Sequence, residues 1–85
     1  MNKQPAIEEY NLAQVAFRSA KENEAKRYAP NSFSQARRFM RRGEKAYRDR
    51  HFERSEKFFR KSRFFSEKSE NISRVKMFTQ GEMAP

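Results

Sequence analysis

Eighty-five residues suffice for one domain and exclude a second independent core. Apolar residues make up 35% and charged residues 36%, with a net charge of +9, so the chain stands near the composition at which burial no longer offsets ordering entropy. Nine Phe and three Tyr against two Gly and three Pro keep it on the folded side; the absence of Cys excludes disulfides and thiolate metal sites, and no run approaches the roughly 20 apolar residues of a membrane span.

The opening residues, Met1-Asn2-Lys3-Gln4-Pro5, carry no apolar signal core. A first helix is predicted over about 6–28, where Tyr10, Ala13, Phe17, Ala20 and Tyr28 recur at the three-and-four spacing of one face. Pro5 suits its first turn, and Glu8 and Glu9 favour the positive end of the helix dipole. Leu12 and Val15 lie off this stripe and mark either a second contact side or a broad core face.

Pro30 breaks the pattern, and Ser32 with Gln35 three positions on reads as a capping box that starts a second helix over 33–48. Phe33, Ala36, Phe39, Met40, Gly43, Ala46 and Tyr47 fall within one arc of that helix. Arg37, Arg38, Arg41, Arg42, Lys45 and Arg48 fill the rest. After a short connection at Asp49-Arg50-His51, a third helix is predicted over 52–78. It carries Phe58, Phe59, Phe65 and Ile72 on one side, with Ser55, Ser62 and Ser69 every seven residues, a spacing that lets a neighbouring helix come close. Gly81 is the predicted stop of this helix and 79–85 a tail. The expected fold is therefore all-α: a three-helix antiparallel bundle with a long C-terminal helix, in one domain covering 1–85.

Charge is concentrated in the hairpin of the second and third helices, where residues 37–63 hold twelve Lys or Arg against four acids. Arg37, Arg38, Arg41, Arg42, Lys45, Arg48, Arg54, Lys57 and Lys61 form the candidate surface for an anionic partner, an acidic protein or membrane headgroups. Nucleic acid is the alternative, with Phe58 and Phe64 as stacking neighbours of Arg54, Lys57 and Lys61. The bland reading of the same face is a solvated surface that keeps the protein dispersed.

Nothing in the sequence points to catalysis. His51 is the sole histidine and falls in a turn, where a solvated or capping role is expected; Glu8, Glu9, Glu22 and Glu24 read as surface carboxylates. No phosphate-cradling glycine loop or nucleophile motif is present, and no cofactor, metal or small-molecule substrate is expected.

Helix lengths suggest a partner. A second helix of about 24 Å cannot cover a third of about 40 Å, so residues 68–78, with Ile72, Val75, Met77 and Phe78, are expected to project beyond the hairpin. Ile7 and Tyr10 are expected to lie beyond the second helix at the other end, and these two apolar ends are the candidate interface for a homodimer or another helical protein. The competing reading has the tail fray or the first helix slide to cover it.

The run Gly43 to Ser62 resembles the centre of a tetratricopeptide helix pair, through Gly43 and Tyr47, then Phe52 after the turn, then Ser55, Phe59 and Ser62. Ser55 and Ser62 stand where that family has alanine, and Arg50 where it has a turn glycine, which implies an altered turn. Over about 7–75 the chain resembles a domain of unknown function found in small outer-membrane lipoproteins of Gram-negative bacteria. Ala13, Ala16, Ala20, Tyr28-Ala29-Pro30, Phe33, Ala36, Ala46, Phe52, Ser55 and Ser62 carry that likeness, while the family's lipidated cysteine is absent. The resemblance implies a structural or adaptor module without catalytic residues, periplasmic or outer-membrane associated if a leader precedes the mature chain; without one the expectation is cytoplasmic.

Overall fold

The computed structural model describes residues 5–80. The protein is all-α: α1 spans Pro5–Glu22, α2 is the single turn Ala25–Tyr28, α3 spans Pro30–Arg48 and α4 spans Phe52–Thr79. The expected stop at Gly81 lies outside the described residues.

The long C-terminal helix α4 is the spine. α3 folds back antiparallel to it, so that Gly43 lies against Ser55 and Ala36 against Ser62. α1 runs parallel to α4, with Glu9 beside Arg60 and Asn23 beside Glu70. The Cα trace measures 51 × 23 × 13 Å, long and thin.

Small residues explain the thinness. Ala6, Ala13 and Ala20 on α1, and Ser55, Ser62 and Ser69 on α4, recur every seven residues and are all fully buried. Ala29, Ala36 and Gly43 keep the same interval along the start and middle of α3, and they too are buried. Side chains this short let backbones approach, and the serines turn the approach into bonds: Ser55 Oγ donates to the Gly43 carbonyl at 2.8 Å and Ser62 Oγ to the Ala36 carbonyl at 2.7 Å. Ser66 and Ser73, off the seven-residue series, are equally buried. The seam between helices is thus lined by hydroxyls at the seven-residue spacing read from the sequence; of the apolar residues expected on that side, Phe59 alone is fully enclosed, while Phe58, Phe65 and Ile72 are half-buried. Phe59 meets Tyr10 edge-on at 5.1 Å and packs with Ala6, Ala13 and Met40, and Phe17 stacks on Phe33 at 4.9 Å.

Three expectations are corrected. The first helix does not run unbroken over 6–28: it ends at Glu22, and Glu24 takes a left-handed conformation, φ 62°. Glu22 and Glu24 place negative charge at the negative end of the dipole, and the Asn23 side chain donates to the Ser19 carbonyl at 2.8 Å, offering the backbone an exit from the helix. The capping box also fails. Pro30 is the first residue of α3 with Ala29 as its N-cap, no side chain caps it, and Ser32 sits inside the first turn. The fixed φ of proline is already that of a helix, so Pro30 begins the element it was expected only to precede.

Finally, α4 does not overhang freely. Because α1 and α2 run parallel to it, they cover its second half: Ser69 and Ser73 are fully buried, and Lys76 Nζ donates to the Tyr28 carbonyl at 2.6 Å. Tyr10 and Ile7 sit beside Glu44, Tyr47 and Arg48 of α3 rather than beyond its reach. Leu12 and Val15 remain exposed, so they have no second contact side among the described residues.

The α3–α4 turn closes on Arg50, which is left-handed at φ 64°. The His51 amide reaches the Ala46 carbonyl at 2.8 Å and the Arg50 amide the Tyr47 carbonyl at 3.0 Å, the paired bonds of a Schellman cap. His51 is exposed and occupies the N-cap position of α4 without a side-chain capping bond.

Candidate anion-binding face

The outer side of the α3–α4 hairpin is built on an aromatic cluster. Phe39 of α3 stacks near Phe58 and Phe65 of α4, with ring centroids 6.1 and 5.7 Å apart, and Phe65 meets Phe64 edge-on at 5.1 Å. The helical interval places Phe58 and Phe65 on one line of α4, seven residues apart, where Phe39 bridges them.

Cations cover this cluster. The Arg42 guanidinium lies 5.8 Å and the Lys61 ammonium 5.4 Å from the Phe39 ring centre, and the Lys68 ammonium lies 6.0 Å from that of Phe65. Ring quadrupoles hold these heads near the surface without neutralising them. Among the described residues, Arg38, Arg41, Arg42, Arg54, Lys57 and Lys61 have no carboxylate at ion-pair distance. All six are exposed.

The nine basic residues singled out from the sequence do not form one patch. Arg42 and Lys61 each lie against the Phe39 ring, while Arg54 and Lys57 flank a shallow hollow with His51, Phe52 and Glu53 at the turn. Arg38 and Arg41 project from the exposed side of α3. Arg37 is half-buried over the Phe33 ring at 5.3 Å, beside Lys21, Glu24, Lys26 and Arg27. Arg48 borders a different groove with Ile7, Tyr10 and Tyr47. Lys45 is engaged with Asp49 at 3.0 Å, and that hydrogen bond, then the Lys45 charge, holds the Asp49 carboxyl below its ordinary value, with smaller help from His51 and Arg48. Lys68 belongs with the Phe65 cluster and escaped the sequence reading because it lies outside the densest basic run.

The apolar positions also divide. Val75 and Phe78 are 61% and 74% exposed, Ile72 and Met77 are half-buried, Ile7 is 41% exposed, and Tyr10 is half-buried against Phe59. No helix is long and apolar enough to cross a membrane among the described residues, and no group of three His, Cys, Asp or Glu residues there converges on a metal-sized site.

The class is that of an all-α helical bundle built around one long helix. No family model, no curated protein and no solved structure matches the chain.

Proposed function

We propose that the chain is a non-catalytic helical interaction module that engages an acidic partner through the cationic, aromatic-backed face of α3 and α4. The observation that carries this reading is that Arg42 and Lys61 come from two helices onto the Phe39 ring, with Lys68 on Phe65 beside them, all three exposed and without a carboxylate at ion-pair distance among the described residues. Two cations drawn onto one ring concentrate positive charge at that point of the surface, and a bound anion would offset it.

Nucleic acid is the second reading, and the ring geometry weighs against it. Base stacking needs free aromatic faces, yet Phe39 is flanked by Phe58, Phe65, Arg42 and Lys61, which leaves Phe64, 60% exposed, as the open ring of the cluster. Association with the cell envelope rests on the Tyr28-Ala29-Pro30 step and the alanine pattern alone, and recovery of the protein in the outer-membrane fraction would support it. A second copy docking on Val75 and Phe78 is a further proposal, which sedimentation tests directly.

Salt titrations of binding to polyglutamate, duplex DNA, single-stranded RNA and anionic vesicles test the main reading. Binding to polyglutamate or vesicles that weakens steeply with salt is expected. Tight binding to nucleic acid alone would favour the second reading, and binding to none would remove the anionic partner altogether.

A further inference from the structure

Lys57, Lys61, Phe64, Lys68, Val75 and Phe78 follow one another along α4 at helical intervals and are all exposed. Asn71 fills the remaining position of the line, so no acid interrupts it. The neighbouring Glu67 is held by Arg63 at 3.1 Å, and Arg42 joins the ridge from α3 through the ring it shares with Lys61. Towards the C-terminus the cations are used inside the fold, Arg74 on Glu70 and Lys76 on the Tyr28 carbonyl, which leaves Val75 and Phe78 as bare apolar tips. Phe64, Val75 and Phe78 are each at least 60% exposed.

We propose that this ridge lies along an anionic lipid surface, with Lys57, Lys61, Lys68 and Arg42 on the phosphates and Phe64, Val75 and Phe78 dipped into the boundary below them. The proposal rests on the anionic-partner reading and names the partner. Two features select lipid over the other anions. Val75 and Phe78 stand about 16 Å or more along the helix from Phe64, too far to serve the same stacked bases, and among the described residues the adjacent cations Arg74 and Lys76 are engaged with Glu70 and the Tyr28 carbonyl. Finally, a bilayer carries its charge in a polar layer about 5–8 Å thick on each side of its apolar interior, a separation that lysine stems span while their heads stay in water.

The sequence contains no Trp, so Phe64→Trp and Phe78→Trp each create a single fluorescent reporter. Ile7→Trp, beside Phe59 on the far side of α4, supplies a third that should stay clear of the lipid. With phosphatidylcholine vesicles no change is expected. With vesicles containing phosphatidylglycerol, emission from positions 64 and 78 should shift to the blue and be quenched by bromine on the acyl chains, while position 7 stays unchanged. Neutralising Lys57 and Lys61 together as Gln should weaken vesicle binding by more than tenfold, at roughly fivefold per cation. Adsorption with the reporters at 64 and 78 left in water would overturn the proposal. So would binding to polyglutamate without binding to vesicles, an outcome that leaves the parent reading standing; failure on both surfaces would overturn the two together.

Discussion

Ser62 and Ala36 are joined across α3 and α4 by a 2.7 Å hydrogen bond from hydroxyl to main-chain carbonyl, while Ser66, one turn further along α4, buries its hydroxyl with no partner among the described residues. The same substitution should therefore act in opposite directions. Ser62→Ala loses a buried bond worth about 1 kcal/mol, partly offset by about 0.5 kcal/mol of helix propensity, and should destabilise slightly. Ser66→Ala removes a desolvated group and should stabilise by about 0.5–1 kcal/mol. Urea unfolding of both variants checks the sign difference. Ser62→Leu should cost about 3 kcal/mol or more, because the seam has no room for a branched side chain.

Gly43 answers to a different constraint. A Cβ placed there would lie 2.5 Å from the Phe59 ring, and Phe59 is 1% exposed, pinned by Tyr10 and Met40. Gly43→Ala would gain about 1 kcal/mol of helix propensity, yet the ring displacement should outweigh it and leave a net loss of about 1–2 kcal/mol. Pairing it with Phe59→Leu should recover part of that loss, which a double-mutant cycle in denaturant measures.

Arg50 and Glu24 hold left-handed backbones without being glycine. Arg50→Gly and Glu24→Gly should each stabilise by about 1 kcal/mol. For a domain of this size that raises Tm by about 4–8 °C, readable by circular dichroism. An unchanged or lowered Tm in the Arg50 variant would mean that its side chain contributes more than its backbone costs.

The Lys45–Asp49 pair sets a small acid sensitivity. Asp49 has a folded pKa depressed below 3.8, chiefly by its hydrogen bond from Lys45 and by the Lys45 charge. Its contribution is therefore present above the unfolded value and is lost as pH falls through about 4 and below. Asp49→Asn should flatten that part of the stability profile between about pH 5 and 3, and raised salt should shrink the difference, since the pair is exposed.

Long periodic segments were legible in the sequence because burial enforces them: the α3 stripe of Phe33, Ala36, Met40, Gly43 and Ala46 is buried, and Arg41 faces solvent. The fold class followed from that period and from sparse helix breakers. Boundaries were less legible. Nothing in composition distinguishes a proline that ends one helix from a proline that starts the next, and both hold for Pro30, because Tyr28 ends α2 two residues before it. The register of α1 was hidden as well, since alanines at seven-residue spacing pack equally well after a slide of seven residues along α4. That register decides whether the last third of α4 is bare, and the Asn23–Glu70 and Lys76–Tyr28 contacts that fix it join residues nearly fifty positions apart. For the candidate site, the basic residue types were plain, but their division among several surfaces depends on which ring each head covers, and Lys68 became visible only through Phe65.

A seam of five hydroxyls has a calorimetric consequence. Melting the bundle hydrates Ser55, Ser62, Ser66, Ser69 and Ser73 along with the few enclosed carbon-rich side chains. Exposed polar area lowers the heat capacity of the unfolded chain while apolar area raises it, so the increment on melting should fall below the usual figure of about 12–15 cal/mol/K per residue. The free-energy curve is then shallow across temperature, and cooling should weaken this fold less than it weakens one held by leucines.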